Sequence, residues 1–376
     1  MPVEFVNAIG TRPPGPPKTG NHFTEPIDPV WLRRYARTID EFGFDYTLVP
    51  YASAGADQYV LAATVLAATE RLKTVVAVRP NTAFPTVAAQ GLASLDQLSG
   101  GRSIVHIISG SSDQEQARQG DYLDKEARYR RSTEFVRVLR EVWTRTEPFS
   151  HHGEFYDFDD FGPGYATFSG GPLPVSLGGS SEFAYAAGGA EADIFALWGE
   201  PLAQTAEQIE RVYAHARAAG RTGRIRFWVT FRPIIAATDA LARRKAHEAV
   251  DRARSFYAAA PTVVTSSSNV GSVRLREIAE EAEEHDGGVL WTPRGIAGSG
   301  GASSLLVGTP ETIAEALVKY VELGADIISL PTLGDIGDAI DAGREIIPLV
   351  RAEVARRGLD PELTFRAADA SIVAGA

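Results

Sequence analysis

Short apolar runs alternate with longer segments of helical periodicity along most of this chain. Eight runs rich in Val, Ile, Leu and Phe predict strands, at 3–9, 45–49, 73–78, 103–108, 175–177, 193–197, 226–235 and 326–330. Apolar residues three and four positions apart predict helices at 30–42, 57–69, 86–98, 127–143, 182–190, 201–219, 241–257, 310–323 and 336–357. Alternating strands and helices form a parallel sheet covered by helices. Eight such units predict an α/β fold, a single closed (β/α)8 TIM barrel.

The connections after the first, fourth and seventh predicted strands are the long ones. In a barrel of this kind the loops at the carboxyl ends of the strands carry the chemistry, so insertions are expected there. We expect one domain over 1–376, with insertions at 146–172 and 258–308. The first insertion is aromatic and acidic, which predicts a small hairpin. Residues 360–376 are predicted to be a poorly anchored tail.

Composition narrows the classes of protein that fit. The chain has 376 residues, 44% of them apolar, and a formal net charge of −11, which argues against a nucleic-acid or acidic-membrane partner. It has no cysteine, which excludes a thiolate nucleophile, a thiolate metal site and a disulfide. The acidic run 280–286 lacks the histidine spacing of a helical metal site, so no metal is expected. No secretory pattern and no membrane-length apolar run occur, and we expect a cytoplasmic protein.

The stretch 174–181 is a strand-to-helix turn that could hold an anion. A short apolar strand runs into Gly178, Gly179, Ser180 and Ser181, and a helix follows. Glycines let the backbone turn tightly and leave room for a ligand beside the main chain. Either serine can cap the first helical turn, whose N–H groups lie at the positive end of the helix dipole. Such a terminus suits a phosphate, although an ordinary serine-capped turn has the same pattern.

Three polar side chains lie where predicted strands approach or reach their carboxyl ends. Alternation along 103–108 points His106 into the barrel near its mouth, where it is either functional or a hydrogen-bonded core histidine. Arg79 and Arg232 each end a strand, placed either for an anionic ligand or for a salt bridge. The chain has no Gly-x-Ser-x-Gly nucleophile elbow, and no Gly-x-Gly-x-x-Gly fingerprint opens its first unit.

Several stretches, in order, give the chain a family resemblance. They are 72–80, 85–90, 95–102, 126–135, 178–181, 197–201 and 306–310. Together they resemble the flavin-dependent monooxygenases of the bacterial luciferase-like superfamily, and within it the alkanesulfonate monooxygenase branch. Members of this family are (β/α)8 barrels that take reduced FMN (FMNH2) from an NAD(P)H-dependent FMN reductase and use O2 to oxygenate a small organic substrate. The resemblance also implies a homodimer or homotetramer.

The resemblance implies roles for individual residues of this chain. Ser180 and Ser181, with the backbone of the turn, would bind the FMN phosphate, and Tyr129 would lie near it. The full set of implied cofactor-binding residues is Val78, Arg79, His106, Ser109, Tyr129, Gly178, Gly179, Ser180, Ser181 and Trp198. His106 and Arg232 are the candidates for steering protons or stabilising a peroxide.

The chain departs from the sulfonate branch around the expected substrate. It has Gly55 in place of a cysteine, and Thr230 and Arg232 in place of an arginine and a histidine. The sulfonate enzymes have an arginine in a mobile loop, which aligns near Ser299 of this chain. Their tyrosine after the last strand aligns with Thr332 or Leu333 of this chain. These departures argue against a plain alkanesulfonate as the substrate, while a sulfone or related compound remains open.

Three arginines remain as candidates for holding an anion, namely Arg79, Arg232 and Arg294. Two other functions also stay open. One is an oxidoreductase of the same superfamily that uses the deazaflavin F420, and the other is a non-catalytic flavin-binding subunit.

Overall fold

The structure is a computed structural model. It describes residues 3–15, 26–110, 112–259, 269–299, 303–332 and 334–359, with the backbone alone for 256–259. The predicted tail at 360–376 and the position of Leu333 lie outside the described residues. So do parts of the proline-rich loop after the first strand and of the insertion predicted at 258–308.

The elements follow one another in strand–helix order, with additions after β4, α5 and β9. In chain order they are β1 (Glu4–Ala8), α1 (Pro29–Glu41), β2 (Tyr46–Val49), α2 (Gln58–Ala68), β3 (Lys73–Val78), α3 (Pro85–Ser99), β4 (Ser103–Ile107), α4 (Asp113–Ala117), α5 (Lys125–Thr144), β5 (Phe149–His152), β6 (Asp157–Phe161), β7 (Val175–Gly178), α6 (Glu182–Glu191), β8 (Ile194–Trp198), α7 (Leu202–Ala218), β9 (Arg226–Thr230), β10 (Arg232–Ile235), α8 (Asp239–Ala259), α9 (Val270–Glu281), β11 (Glu284–His285), β12 (Leu290–Trp291), β13 (Leu305–Gly308), α10 (Pro310–Glu322), β14 (Ala325–Ser329), α11 (Ile336–Asp341), a π-helical turn (Ala342–Ile346) and α12 (Ile347–Arg356).

Eight parallel strands close into a barrel in the order β1–β2–β3–β4–β7–β8–β9–β14. They are the eight strands predicted from the apolar runs, so the predicted TIM barrel is confirmed. Alternation along each strand separates two apolar layers, since side chains one residue apart point to opposite faces. Inside the barrel lie Val6, Tyr46, Val75, Ile104, Ile194, Trp228 and Ile327. The outward side chains pack against the helices in the larger core, as Val76, Val105 and Phe195 do.

The amino-terminal end of the barrel is filled by charged and aromatic side chains. Glu4 on β1 forms an ion pair with Arg226 on β9. The hydroxyl of Tyr46 donates to Glu4 Oε1 at 2.9 Å, and the ammonium of Lys73 lies over the Tyr46 ring. Chemistry that needs open space is therefore confined to the carboxyl-terminal mouth.

The last strand of the barrel is joined to the first by backbone pairing and by a buried polar cluster. Phe5 pairs with Ile328 across the β1–β14 seam. Beyond the strand ends, Asn7 Nδ2 donates to Thr332 Oγ1 at 3.2 Å, and the Tyr35 hydroxyl donates to Asn7 Oδ1 at 3.0 Å. All three polar side chains are buried, so they satisfy one another out of reach of water.

The run predicted as one strand at 226–235 is two strands in two sheets, so that prediction was wrong. Phe231 N still donates to Ser329 O of β14, but Arg232 N donates to Ser304 O beside β13. Phe231 is fully buried against Tyr320, with ring centroids 4.6 Å apart, and the chain changes partner there. Apolar alternation runs on through this switch, so the sequence does not show it.

The excursion that starts with β10 builds a second sheet and returns at β13. Its strand order is β10–β13–β12–β11, and β13 leads directly into α10 on the outside of the barrel. Its separate apolar cluster comprises Ala236, Ala242, Ala246, Val250, Trp291, Ile296, Leu305 and Val307. The segment between the seventh and eighth barrel strands thus begins at β10, earlier than the predicted insertion at 258–308.

The hairpin predicted within 146–172 is present as β5 and β6. It lies between α5 and β7, a connection that leads to the amino end of a strand, so it does not belong to the carboxyl-end loops. Its aromatic side chains pack against the outside of the barrel. The Tyr156 hydroxyl donates to Pro80 O at 2.8 Å, and its ring meets Phe84 edge to face.

Among the described residues, no helix is long and apolar enough to cross a membrane.

Packing of α6 on β8 provides a test of this core. A Cβ at Gly188 of α6 would lie 2.2 Å from a ring carbon of the buried Phe195. Alanine is favoured over glycine in a helix by roughly 1 kcal/mol, whereas overpacking a core costs about 1–3 kcal/mol. We therefore expect Gly188→Ala to lower the melting temperature. Gly223→Ala is the control, because its Cβ would lie 4.0 Å from the nearest atom. An unchanged or raised melting temperature for Gly188→Ala would contradict the packing described.

Candidate functional site

Small side chains line the carboxyl-terminal mouth of the barrel. By strand alternation, the inward positions above the apolar layer include the small residues Ala8, Ala77, Ser176, Gly178 and Ala196, together with larger ones such as Leu48 and Trp198. Below them the barrel holds larger residues such as Tyr46 and Trp228. Several side chains of the mouth are therefore smaller than those of the middle of the barrel.

His106 points into this mouth, as predicted from the alternation along β4. Its Nδ1 lies 2.9 Å from Ser176 Oγ on β7, and its ring centroid lies 5.8 Å from that of Trp228. Trp228 Nε1 in turn donates to Thr230 Oγ1 at 3.0 Å. Burial lowers the pKa of His106 from 6.5 to about 4, because an enclosed site disfavours the charged imidazolium. At neutral pH, His106 is therefore an uncharged hydrogen-bonding group.

The turn between β7 and α6 has little room for side chains. Gly179 has a φ of +144°, and a Cβ there would lie 2.8 Å from Ala184 Cβ and 2.9 Å from the Tyr129 hydroxyl oxygen. At Gly178 a Cβ would lie 2.8 Å from Ala196 O on β8. Glycine is thus required at both positions, and the main chain of the turn is left uncovered.

Hydroxyl groups surround this turn at the start of α6. Ser181 caps the helix, with its Oγ accepting from Ala184 N at 3.3 Å. The buried Tyr129 hydroxyl from α5 lies beside the Ser181 side chain, and burial raises the pKa of Tyr129, which keeps it a neutral hydroxyl. Ser180 is half-buried beside them. We call Tyr129, Gly179, Ser180 and Ser181 the hydroxyl cradle.

The carboxylate nearest the start of α6 is paired with basic side chains, which suits the binding of an anion at the hydroxyl cradle. Glu182, the first residue of α6, is exposed and pairs with Arg211 and with His215 Nε2, so its carboxylate is neutralised on the outer side. The dipole of α6 contributes a partial positive charge at Ser181. The arrangement fits the phosphate suggested by the sequence.

Trp198 and the insertion helix α9 lie next to the hydroxyl cradle. Trp198 ends β8, and a Cβ at Gly271 in the first turn of α9 would lie 3.1 Å from the Trp198 ring and 3.3 Å from Ser180 Oγ. Arg274, one turn further along, holds the fully buried Glu200 of the β8–α7 loop with two hydrogen bonds of 2.9 and 2.8 Å. The sequence predicts an acidic helix around 277–284 in this insertion, whereas α9 begins earlier, at Val270, after the helix cap Asn269.

Arg79 is placed at the mouth but is already paired. Its guanidinium donates to Gln119 Oε1 at 3.0 Å and to Glu115 Oε1 of α4 at 3.3 Å, and it lies over the Tyr51 ring. Glu115 also accepts from Ser53 N. Of the two roles that the sequence left open for Arg79, the structure shows the salt bridge. The helix α4, which lies in a loop predicted to be irregular, supplies the carboxylate.

Two other predicted cofactor residues point away from the barrel interior. Val78 belongs to the core between the sheet and the helices. Ser109 follows β4, and its Oγ lies 2.8 Å from Ser132 Oγ on α5. Only the main chain of these two residues faces the mouth, because strand alternation turns their side chains outward.

Arg232 and Arg294 lie away from His106. Arg232 lines a surface pocket of about 310 Å³ together with α8 and α11 residues such as Lys245 and Asp338. Arg294 Nε donates to Ala279 O at 3.0 Å, near the carboxyl end of α9. The predicted catalytic role of Arg232 gains no support from this placement, because the change of sheet at Phe231 carries it out of the barrel.

Among the described residues, no group of three or more His, Asp or Glu side chains could hold a metal ion.

The fold and site define a (β/α)8 barrel with a serine-capped glycine turn beside the carboxyl-terminal mouth. A sequence profile described as luciferase-like monooxygenase matches residues 4–326. The chain therefore belongs to the luciferase-like monooxygenase family.

Several solved structures share the fold. Riboflavin lyase RcaE, solved with modified FMN and riboflavin as substrate, is 21% identical, with 96% of this chain and 92% of that chain covered and a TM-score of 0.74. EDTA monooxygenase EmoA from Chelativorans sp. BNC1 is 18% identical, with 96% and 95% covered and a TM-score of 0.72. The coenzyme F420 dependent tetrahydromethanopterin reductase from Methanopyrus kandleri is 16% identical, with 93% and 99% covered and a TM-score of 0.68. At these identities the likeness shows a shared fold.

The lowered pKa of His106 predicts a pH effect on stability. Between pH 6.5 and about 4 the unfolded chain binds a proton at this histidine that the folded chain does not, so this group lowers stability as the pH falls. In His106→Gln, the drop in unfolding free energy from pH 7 to 4.5 should be smaller than in the wild type by about 2 kcal/mol. Urea unfolding at both pH values measures it.

The control is His152→Gln. His152 is exposed, and its hydrogen bond to Asp157 raises its pKa, so its effect has the opposite sign. Equal drops in the wild type and His106→Gln would show that His106 is not held neutral by burial.

Proposed function

We propose that the chain is the oxygenating component of a two-component monooxygenase that depends on FMNH2 and O2. A separate NAD(P)H-dependent FMN reductase supplies the reduced flavin, and a small organic substrate is oxygenated. The hydroxyl cradle carries this proposal, because it places three hydroxyl side chains and a helix N-terminus around an uncovered main chain in a barrel of this family. The reductase partner and a homodimer or homotetramer rest on the family resemblance alone.

The residues present fit FMN. Tyr129, Ser180 and Ser181 would hold the phosphate, and the small inward side chains of the mouth would accept the flat ring. His106 and Trp198 would flank that ring. Reduced FMN supplies the electrons that activate O2 when it is bound, while the protein positions the reactants and excludes water.

His106 has one defined role at neutral pH. Ser176 Oγ engages Nδ1, which leaves Nε2 as the ring nitrogen that can hold or release a proton in the mouth. Since its pKa is about 4, the ring supplies a hydrogen bond and no positive charge. It is therefore suited to orient a reactant and to move a proton, and unsuited to balance a full negative charge.

Within the sulfonate, sulfone or related class, Arg79 and Arg294 favour an uncharged substrate such as a sulfone over an anionic sulfonate. Arg79 is paired with Glu115, and Arg294 bonds carbonyl groups of α9. An anionic substrate would have to displace one of these partners. A sulfone needs no such displacement, so we propose a sulfone-like substrate ahead of a plain alkanesulfonate.

An F420-dependent oxidoreductase is the second candidate. The likeness to the F420 dependent reductase from Methanopyrus kandleri favours it, because F420 also carries a phosphate that the hydroxyl cradle could hold. The two functions differ in their use of oxygen. A hydride transfer to or from F420 needs no O2, whereas the monooxygenase consumes it.

The phosphate assignment predicts a defect in flavin binding. We expect Ser180→Ala/Ser181→Ala to weaken FMN binding by about tenfold or more, because hydrogen bonds to a charged group contribute roughly 1.5–3 kcal/mol. Riboflavin, which lacks the phosphate, should bind both proteins equally. Fluorescence quenching of the flavin measures both affinities. Ser94→Ala on α3 is the control, and unchanged FMN affinity in the double variant would refute the assignment.

Oxygen use separates the two candidate functions. We expect the chain to increase product formation from a panel of sulfones, sulfonates, amides and aldehydes when NADH, FMN and a flavin reductase are supplied in air. Oxygen uptake and product mass spectrometry report the coupling, with the reductase alone as the blank. Substrate-dependent reduction of F420 under anaerobic conditions, without such coupling, would support the oxidoreductase instead.

A further inference from the structure

The hydroxyl of Ser176 lies at the boundary between the mouth and the apolar layer of the barrel. Ser176 is fully buried on β7, and its Oγ lies 2.9 Å from His106 Nδ1 on β4. The side chains that line the gap beneath it include Ile104, Ile194 and Trp228, and that gap does not admit a water molecule. The partners of this hydroxyl must therefore come from the protein itself.

The hydrogen bond to His106 Nδ1 is the only one that this hydroxyl makes with the described residues. Trp228 Nε1, the indole donor of the same layer, donates to Thr230 Oγ1 instead. A serine hydroxyl has one hydrogen to donate and two lone pairs that accept. The direction of the bond to His106 therefore decides whether the serine hydrogen has an acceptor.

The two neutral forms of His106 leave different groups unsatisfied. With the hydrogen on Nδ1, the imidazole donates to Ser176, and the serine hydrogen is buried without an acceptor. With the hydrogen on Nε2, Ser176 donates to Nδ1, and only lone pairs of the hydroxyl stay unused. A buried donor without an acceptor costs its desolvation in full, and orphaned donors are rarer in proteins than underused acceptors. The form with the hydrogen on Nε2 is therefore the more stable.

The second ring nitrogen of His106 is the one that a bound molecule can reach. His106 is half-buried, and its Nε2 has no partner within the part of the chain that the structure describes. Nε2 is also not one of the fully enclosed polar atoms, whereas Nδ1 is turned toward the buried Ser176. A hydrogen on Nε2 is thus available to a ligand in the mouth. Once water is excluded, that N–H is satisfied only if the ligand brings an acceptor.

From this accounting we infer that Ser176 is a positioning residue, which fixes His106 as the tautomer that carries its hydrogen on Nε2. His106 thereby presents a neutral N–H donor to an acceptor oxygen of a ligand bound in the mouth. The assignment of the tautomer stands on the site alone, whereas the acceptor rests on the proposed function. That acceptor is a carbonyl oxygen of the flavin ring or an oxygen of the substrate, such as that of a sulfone.

Nitrogen-15 NMR of the wild-type protein, labelled at its histidine rings and free of cofactor and substrate, reads the tautomer directly. A ring nitrogen that carries a hydrogen differs widely in chemical shift from one that does not. His106→Gln identifies the signals of His106 among those of the seven histidines. At neutral pH we expect the Nε2–H form to predominate by about tenfold or more. A predominant Nδ1–H form, or an equal mixture, would overturn the inference.

Ser176→Ala tests whether the serine is the cause. Alanine removes the donor to Nδ1, so the preference for Nε2 should fall by about threefold or more. The matched control is Ser103→Ala, which removes a buried hydroxyl of β4 that has no hydrogen-bond partner within the described ranges. It should keep the wild-type signals of His106. Unchanged signals of His106 in folded Ser176→Ala would overturn the role of Ser176.

A second variant covers the case in which Ser176→Ala does not fold, which near-ultraviolet circular dichroism reports. Ser176→Cys keeps a side chain of similar size with a weaker donor, so its preference for Nε2 should also fall below that of the wild type. A wild-type preference in this variant would count against Ser176 in the same way.

The donor role is tested by side chains that keep or lack an N–H at position 106. Glutamine can bring its amide N–H near the place of Nε2 but cannot take up a proton, and leucine offers neither. We expect His106→Leu to lose about tenfold or more in FMN affinity, or in kcat/KM for the sulfone turned over fastest, and His106→Gln to keep most of both. A loss of FMN affinity assigns the acceptor to the flavin, and a loss of kcat/KM alone assigns it to the substrate. Equal losses in the two variants, or no loss in either, would overturn the donor role.

Failure of the proposed function gives a different result. If no oxygenation is coupled to the chain but the hydrogen of His106 is on Nε2, the proposed function falls and the role of Ser176 stands. If oxygenation is coupled and the hydrogen is on Nδ1, the proposed function stands and this inference is refuted.

Discussion

The absence of space for a side chain at Gly179 is the constraint on which the site depends. The backbone passes between Ala184 Cβ and the Tyr129 hydroxyl with a positive φ that few other residues adopt. This path of the backbone sets where β7 ends and where Ser181 caps α6. It also brings the buried Tyr129 hydroxyl of α5 into contact with Ser181. A larger residue there would separate the strand, the helix cap and the tyrosine at once.

The side chains inside the barrel change in character along its axis, from charged, to large and apolar, to small. Its amino-terminal end is filled by the Glu4–Arg226 pair, its middle by large apolar residues, and its mouth by small residues with His106 among them. Burial keeps His106 neutral, so the mouth joins an uncharged hydrogen-bonding group to small side chains, beside the paired Arg79 and Glu115. An aromatic ring system is better suited to such a surface than a highly charged ligand is.

Local sequence patterns predicted much of this structure, and the features that were not predicted are those that leave no local pattern in the sequence. Apolar periodicity located all eight barrel strands, and the Gly-Gly-Ser-Ser turn pointed to the hydroxyl cradle. The change of sheet after Phe231 was not predictable from the sequence. An apolar residue is expected at this position both in a continuing strand and in the observed packing against Tyr320, so the sequence pattern is the same in both cases. The Glu200–Arg274 pair joins residues 74 positions apart, and no local pattern links the two positions. The salt bridge of Arg79 was one of two roles that the sequence left open, and its partner on α4 was not predicted.

Closure of the barrel by β14 against β1 has a consequence for how the chain folds. Asn7 and Thr332 are 325 positions apart, yet they meet in one buried cluster. Contacts of such sequence separation make folding slow, since a very long loop must close before they form. On the ribosome, β1 would wait with one unpaired edge until nearly the whole barrel had been synthesised, and such an edge is a site where nascent chains aggregate. The same seam that completes the barrel thus makes its biogenesis dependent on protection of the first strand.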